Sequence, residues 1–175
     1  MIAESDDGTA APGQLPFPLG DPPGDPLDDL LAERACERLV LDFVHRLDLG
    51  DPGSVAELFT PDGVWEWAEG DRTVRGREAL RAYFGARPAD RLSRRVTTNI
   101  RVTRTSATTA TATSYFTIYR VDGHTGGMVP PRPPTQVGYY EDAFRRVDGR
   151  WLLARRGTFL TFAGPTDHLG SPQRQ

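Results

Sequence analysis

The chain has 175 residues, 38% of them hydrophobic and 26% charged, with a formal net charge of −3 and a single cysteine. This length suits one domain with a real core, and Cys36 alone excludes an intramolecular disulfide or a cysteine-rich metal site. All 21 basic residues are arginine, so lysine nucleophiles and Schiff bases are excluded, and a pI near 5.6 argues against a nucleic-acid partner.

No apolar run approaches the roughly 20 residues that cross a bilayer. The start, Met1 to Asp7, is acidic where a secretory signal would be basic. A cytoplasmic protein without membrane association is therefore expected. Residues 1–26 carry Pro12, Pro16, Pro18, Pro22, Pro23 and Pro26 among Gly, Asp and Ala. Such a segment buries too little apolar area to offset its ordering entropy, which predicts a flexible arm. A polar tail over 164–175 leaves 27–163 as the folded domain.

Within it, Leu27, Leu31, Ala35, Leu39 and Phe43, flanked by Leu30, Val40, Val44 and Leu47, predict an amphipathic helix over 27–49. Asp28 and Asp29 suit its positive end, and Gly50-Asp51-Pro52-Gly53 stops it. Residues 54–59 read as a short second helix ended by Thr60-Pro61-Asp62-Gly63. The alternation Val64-Trp65-Glu66-Trp67 predicts a strand that returns through Thr73-Val74, followed by a short helix over 77–84. The segments 96–104, 107–121, 135–147 and 150–162 are rich in Thr, Val, Tyr and Phe and predict four long strands. Asp148-Gly149 is a hairpin signal, and the Gly/Pro-rich 122–134 is an excursion. Helices followed by a run of strands describe an α+β domain. A strongly bent antiparallel sheet wrapped on the first helix would leave a pocket at one end.

This order resembles the cone-shaped nuclear-transport-factor-like fold, and its SnoaL-like and scytalone-dehydratase-like branch in particular. The resemblance spans about residues 30–162. It is carried by Leu47-Asp48-Leu49-Gly50-Asp51, Leu58-Phe59-Thr60-Pro61-Asp62-Gly63-Val64-Trp65-Glu66-Trp67 and Gly76-Arg77-Glu78-Ala79-Leu80. It continues through Arg94-Arg95-Val96-Thr97-Thr98-Asn99, Gly138-Tyr139-Tyr140-Glu141-Asp142 and Asp148-Gly149-Arg150-Trp151. In the dehydratase branch an Asp near the end of the first helix works with a pocket His. Asp48 matches the Asp, whereas Arg95 stands at the His position, Tyr115 near a second family His, and Trp67 at the family's pocket Tyr. The resemblance implies a cofactor-independent pocket enzyme, a dehydratase, cyclase or isomerase, acting on a hydrophobic polyketide-like or aromatic molecule in natural-product biosynthesis. A homodimer is compatible with it.

The residues themselves give candidates with bland alternatives beside them. Asp48 on the rim of the apolar helical face would move a proton in a low-dielectric pocket, or is a solvated helix end. His45 is three residues away and would share its face as a dyad, or lies in solvent between Asp42 and Arg46. Arg95 cannot be a base, but it would stabilise an oxyanion or pair with Asp48. Asn99 shares its strand parity. Trp65, Trp67, Tyr83 and Phe159 would shape an apolar cavity, or are core. Tyr140 and Tyr115 would donate to a substrate oxygen, or are packing. Asp142 would be a second carboxylate, or pairs with Arg155 or Arg156. Three scattered histidines give no metal spacing, so no metal or cofactor is expected. A non-catalytic binding or scaffolding subunit is the alternative class. Epoxide hydrolysis, for which only Arg120-Val121-Asp122 has the resembling spacing, is a lesser one.

Overall fold

A computed structural model describes residues 25–164; the predicted arm before residue 25 and the tail beyond residue 164 lie outside the described residues. The first helix, α1 (Pro26–Asp48), starts where Asp25 accepts the Leu27 N–H at 3.0 Å with Pro26 in the first turn. Its inward stripe is Asp29, Ala32, Cys36, Leu39, Val40, Phe43 and Leu47, at the three- and four-residue steps of one helical face. Leu27, Leu30 and Leu31 lie off that stripe and are exposed, although their spacing predicted them inside. Asp29 instead turns inward and pairs with Arg104, fixing the start of the helix to the sheet.

The predicted second helix is a 3-10 helix, Pro52–Leu58. Thr60-Pro61-Asp62-Gly63 does not stop the chain. It lies within β1 (Phe59–Trp67), where a register shift between Phe59 and Val64 absorbs the irregular residues. β2 (Arg72–Arg75), α2 (Arg77–Gly85), β3 (Leu92–Arg104), β4 (Thr109–Val121), β5 (Gln136–Val147) and β6 (Arg150–Ala163) follow. The strands form one curled, unclosed sheet in the order β2-β1-β6-β5-β4-β3. It is not purely antiparallel, because β1 runs parallel to β6. Gly138 sits at a shift in the β5–β6 register, where an added Cβ would come within 2.0 Å of the Phe159 carbonyl oxygen; only glycine lets the strands approach so closely at this bend.

The core lies between α1 and the concave face. Phe43, buried near the C-terminal end of the helix, meets Phe84 edge-on with ring centroids 5.6 Å apart, and meets Phe59 and Tyr140 at 6.3 Å. Below them Asp142 and Arg156, opposite one another on β5 and β6, form a doubly hydrogen-bonded ion pair with both side chains fully buried. No helix among the described residues is long and apolar enough to cross a membrane.

Candidate active site

Where α1 ends, β1, α2 and the concave face diverge and enclose a cavity of about 440 Å³, the size of a single small-molecule site. Its apolar wall comes from Phe43 and Leu47 of α1, Trp65 and Trp67 of β1, Tyr83 and Phe84 of α2, Ile118 of β4 and Leu160 of β6. Trp65 and Trp67 face it together because alternate residues of a strand share a side. Trp65 lies 5.0 Å from Tyr83 with the rings tilted by 31°. Arg72 sits over the other ring of this pair, 5.5 Å from the Tyr83 centroid. Burial raises the Tyr83 hydroxyl above its ordinary pKa, with Arg72 opposing. Thr158 Oγ1, on the same wall, is buried and has no hydrogen-bond partner among the described residues.

Among the described residues the charged groups of the wall are all cationic: Arg72, Arg87, Arg91, Arg95 and Arg120. Arg95 joins a compact node. Its backbone N–H donates to Asp48 Oδ2 at 2.5 Å and its guanidinium to Asp48 Oδ1. Ser93 Oγ donates to the same Oδ1 at 2.5 Å, and receives Arg95 Nη1 at 2.9 Å and Arg87 Nη2 at 2.6 Å. The fold makes this possible because Asp48 is the last residue of α1 and abuts the start of β3, where Ser93 and Arg95 share the inward parity. Asp48 is thus brought to Arg95 across 47 positions of sequence. Its carboxylate meets donors rather than the apolar surroundings expected from its neighbours on α1, and its side chain is only 5% exposed. Arg95, at 13%, and Arg87 are the members that reach the cavity wall.

The remaining candidates separate cleanly. His45 is exposed on the outer side of α1. Asn99 is exposed as well. A bulge between Thr98 and Arg101, with Asn99 at φ 52°, breaks the parity that would have kept it beside Arg95. Tyr115 is 56% exposed, because the inward residues of β4 are Ala110, Ala112, Ser114, Phe116 and Ile118. Phe159 stacks on Tyr139 at 4.9 Å instead of lining the cavity, whose β6 residues are Thr158 and Leu160. Tyr140 is buried behind the wall, stacked on Phe116 at 4.4 Å, and burial raises its hydroxyl pKa. Asp142 takes the ion-pair alternative with Arg156. Sequence reasoning missed Arg72, Arg87 and Ser93. The first two carry a signal only in hindsight, as arginines just before an aromatic-bearing helix and just after it. Among the described residues no three His, Cys, Asp or Glu side chains gather as metal ligands would.

The SnoaL-like domain family model matches residues 28–157. The chain belongs to the SnoaL-like family. Solved structures agree on the fold. A protein from Novosphingobium aromaticivorans assigned provisionally as a scytalone dehydratase is 24% identical, with 83% of this chain and 96% of that one covered and a TM-score of 0.65. An NTF2-like protein with a cystatin-like fold, also from Novosphingobium aromaticivorans, is 26% identical over 75% and 84% of the two chains, with a TM-score of 0.62. A hexachlorocyclohexane dehydrochlorinase, LinA type 2, is 18% identical over 85% and 98%, with a TM-score of 0.65. No protein of curated function matches the chain.

Proposed function

We propose that this SnoaL-like chain is a cofactor-independent pocket enzyme that moves a proton on a hydrophobic, polyketide-like or aromatic small molecule, in a dehydration, cyclisation or isomerisation. The observation that carries this reading is the Asp48–Arg95 pair at the polar side of an aromatic cavity. The two family likenesses named for loss of water and of hydrogen chloride are consistent with it.

In this reading Arg95 supplies guanidinium donors to a substrate carbonyl as negative charge develops on its oxygen, an interaction that gains strength where water is excluded. Arg95 stays protonated and relays nothing. Proton transfer falls to Asp48. Its Oδ2 accepts one hydrogen bond, from the Arg95 backbone, and so keeps a second lone pair for a proton. Ser93 holds the carboxylate's other oxygen in place. Trp65, Trp67 and Tyr83 would hold a flat ring system against this node.

A direct test is exchange of the α-protons of α-tetralone in D₂O, followed by proton NMR. The wild type should exceed the buffer rate, and Asp48→Asn and Arg95→Met should each remove about 10²–10⁴-fold of the enhancement, the usual size of a general acid–base contribution. Wild-type exchange no faster than buffer across neutral aromatic ketones would refute the reading. A second reading, a non-catalytic ligand-binding or scaffolding subunit, is favoured by one observation: Asp48 is nearly enclosed by its donors and off the cavity wall. Ligand binding without exchange is its signature. Because no carboxylate lines the cavity among the described residues, nothing specific favours epoxide hydrolysis.

A further inference from the structure

The charge around the cavity is unbalanced in a way that the proton-transfer reading does not need. Among the described residues five arginines and no acidic residue line the wall; Arg91 and Arg120 pair with Asp122 behind it and Arg95 pairs with Asp48, so the imbalance rests on Arg87. Within hydrogen-bond reach of Ser93 Oγ stand two guanidiniums, Arg87 at 2.6 Å and Arg95 at 2.9 Å, and only one carboxylate, Asp48. That carboxylate is taken up by Arg95. Arg87 has no ion pair among the described residues; its Nη2 donates to the Ser93 hydroxyl and, at 3.3 Å, to the Arg91 carbonyl.

Two guanidiniums meeting on one neutral hydroxyl repel each other, and the repulsion is poorly screened where water is partly excluded. Burial, followed by the nearby Arg95, lowers the Arg87 guanidinium to a pKa of about 10. The arrangement is relieved by a negative charge arriving from the cavity, since Arg87 and Arg95 both line it. Arg72, at the Tyr83 ring, adds a further cation to the same space. The apolar part of the wall is mostly aromatic, Phe43, Trp65, Trp67, Tyr83 and Phe84, with Leu47, Ile118 and Leu160 beside them.

We infer that the ligand of this cavity is an amphipathic anion, a flat aromatic or polycyclic body carrying a carboxylate, with the carboxylate received by Arg87 beside Arg95. A carboxylate is suited to this position because a guanidinium offers parallel N–H donors to its two oxygens. The inference rests on the reading of the cavity as a small-molecule site and specifies the charge of what enters it.

Calorimetric titration of the full chain with 2-naphthoate and with its neutral isostere 2-naphthamide tests it. Naphthoate should bind at least about tenfold more tightly, as a charge-assisted hydrogen bond at a partly dry site allows, and added salt should narrow the gap. Arg87→Gln should abolish most of the preference by weakening naphthoate far more than naphthamide. Arg87→Lys should keep part of it, and Arg75→Gln, an exposed arginine off this wall, should keep all of it. A circular-dichroism melt of each variant separates lost binding from lost folding. Equal binding of the two probes, binding of neither, or a preference that survives in folded Arg87→Gln would overturn the inference. Because α-tetralone is neutral, the two readings fail separately. Exchange without carboxylate preference defeats only this inference, and carboxylate preference without exchange defeats only the enzymatic reading.

Discussion

The Asp142–Arg156 pair allows a quantitative test of how the core beneath the cavity is held. Arg156 Nε and Nη2 each donate to one Asp142 oxygen at 2.7 Å, and neither side chain has any exposure. The guanidinium lies 4.2 Å from the Phe43 ring centroid and 4.5 Å from that of Tyr140, and its Nη1 has no partner among the described residues. Burial opposes the charge on Arg156, yet Asp142 outweighs burial and the guanidinium pKa lies above its ordinary value. Asp142→Asn would leave that cation in the core with only the two ring faces and a neutral amide. Breaking a buried pair from one side costs about 3–5 kcal/mol, against about 2 kcal/mol or so that the ring faces supply whether or not Asp142 is charged. At about 3–4 °C per kcal/mol for a domain of this size, the midpoint should fall by about 10–20 °C. Asp142→Leu combined with Arg156→Met removes both charges at nearly constant volume and should recover most of the loss, because neither desolvation penalty remains. Thermal melts and urea unfolding followed by far-UV circular dichroism, with the urea slope checked for constancy, give the midpoint and the free energy of each variant. A cost below about 1 kcal/mol for Asp142→Asn, or a double variant no more stable than that single one, would refute the claim that charge pairing governs this site.

Three further outcomes are expected. Ser93→Ala takes the shared hydroxyl from Asp48, Arg87 and Arg95 and should cost about 1–3 kcal/mol in urea unfolding, the penalty of leaving buried polar groups unsatisfied; a neutral result would show that the node is solvated. Cys36 is fully buried, and burial, then Asp142 and Glu33, push its thiol up to about 12. It should therefore resist a disulfide reagent at pH 8 in the native protein and react fully in guanidinium chloride. Asp122, where hydrogen bonds from Arg120 and Arg91 outweigh the upward push of burial, has its pKa lowered in the folded state. Its contribution is present above the unfolded value of about 3.9 and lost as pH falls through the folded value. The gap between wild type and Asp122→Asn should thus be constant near neutrality and shrink as pH falls below the unfolded value of about 3.9, as read from urea midpoints.

The long strands were legible because their Thr, Val, Tyr and Phe content has no competing helical period, and Asp148-Gly149 fixes the β5–β6 hairpin locally. What the pattern could not assign was the side of each strand. On β4 the inward residues include small Ala110, Ala112 and Ser114, while the outward face carries Tyr115 and Tyr119; hydrophobicity therefore pointed to the outside. Phe159 misled in the same way, since its outward partner Tyr139 is also aromatic. Asn99 could not be placed by parity, because a bulge adds a residue without leaving a compositional mark. The parallel pairing of β1 with β6 joins segments about 90 residues apart, Trp65 with Arg156 for example, and no local signal specifies such a contact.

The site was legible at the one position where a polar residue interrupts an apolar stripe near a helix end. Asp48 was identifiable for that reason, and Arg95 through the resemblance alone. The structure changes what the pair implies. With a histidine at position 95, the carboxylate would orient a group that itself exchanges protons. With arginine there, the partner is permanently charged, and the same carboxylate is held by a guanidinium, a hydroxyl and a backbone N–H. Any ligand that is to reach Asp48 has first to draw donors of Arg95 away from it. A neutral ketone does this weakly. A carboxylate competes for a guanidinium on equal terms, and Arg87, already on the wall beside Arg95, compensates the charge it brings. If Asp48 is the base, as proposed above, anion binding and release of that base are linked by the geometry of one node. If both occur, the proton-transfer rate on a carboxylate-bearing substrate should exceed that on its amide by more than the difference in binding, and Arg87→Gln should remove that excess.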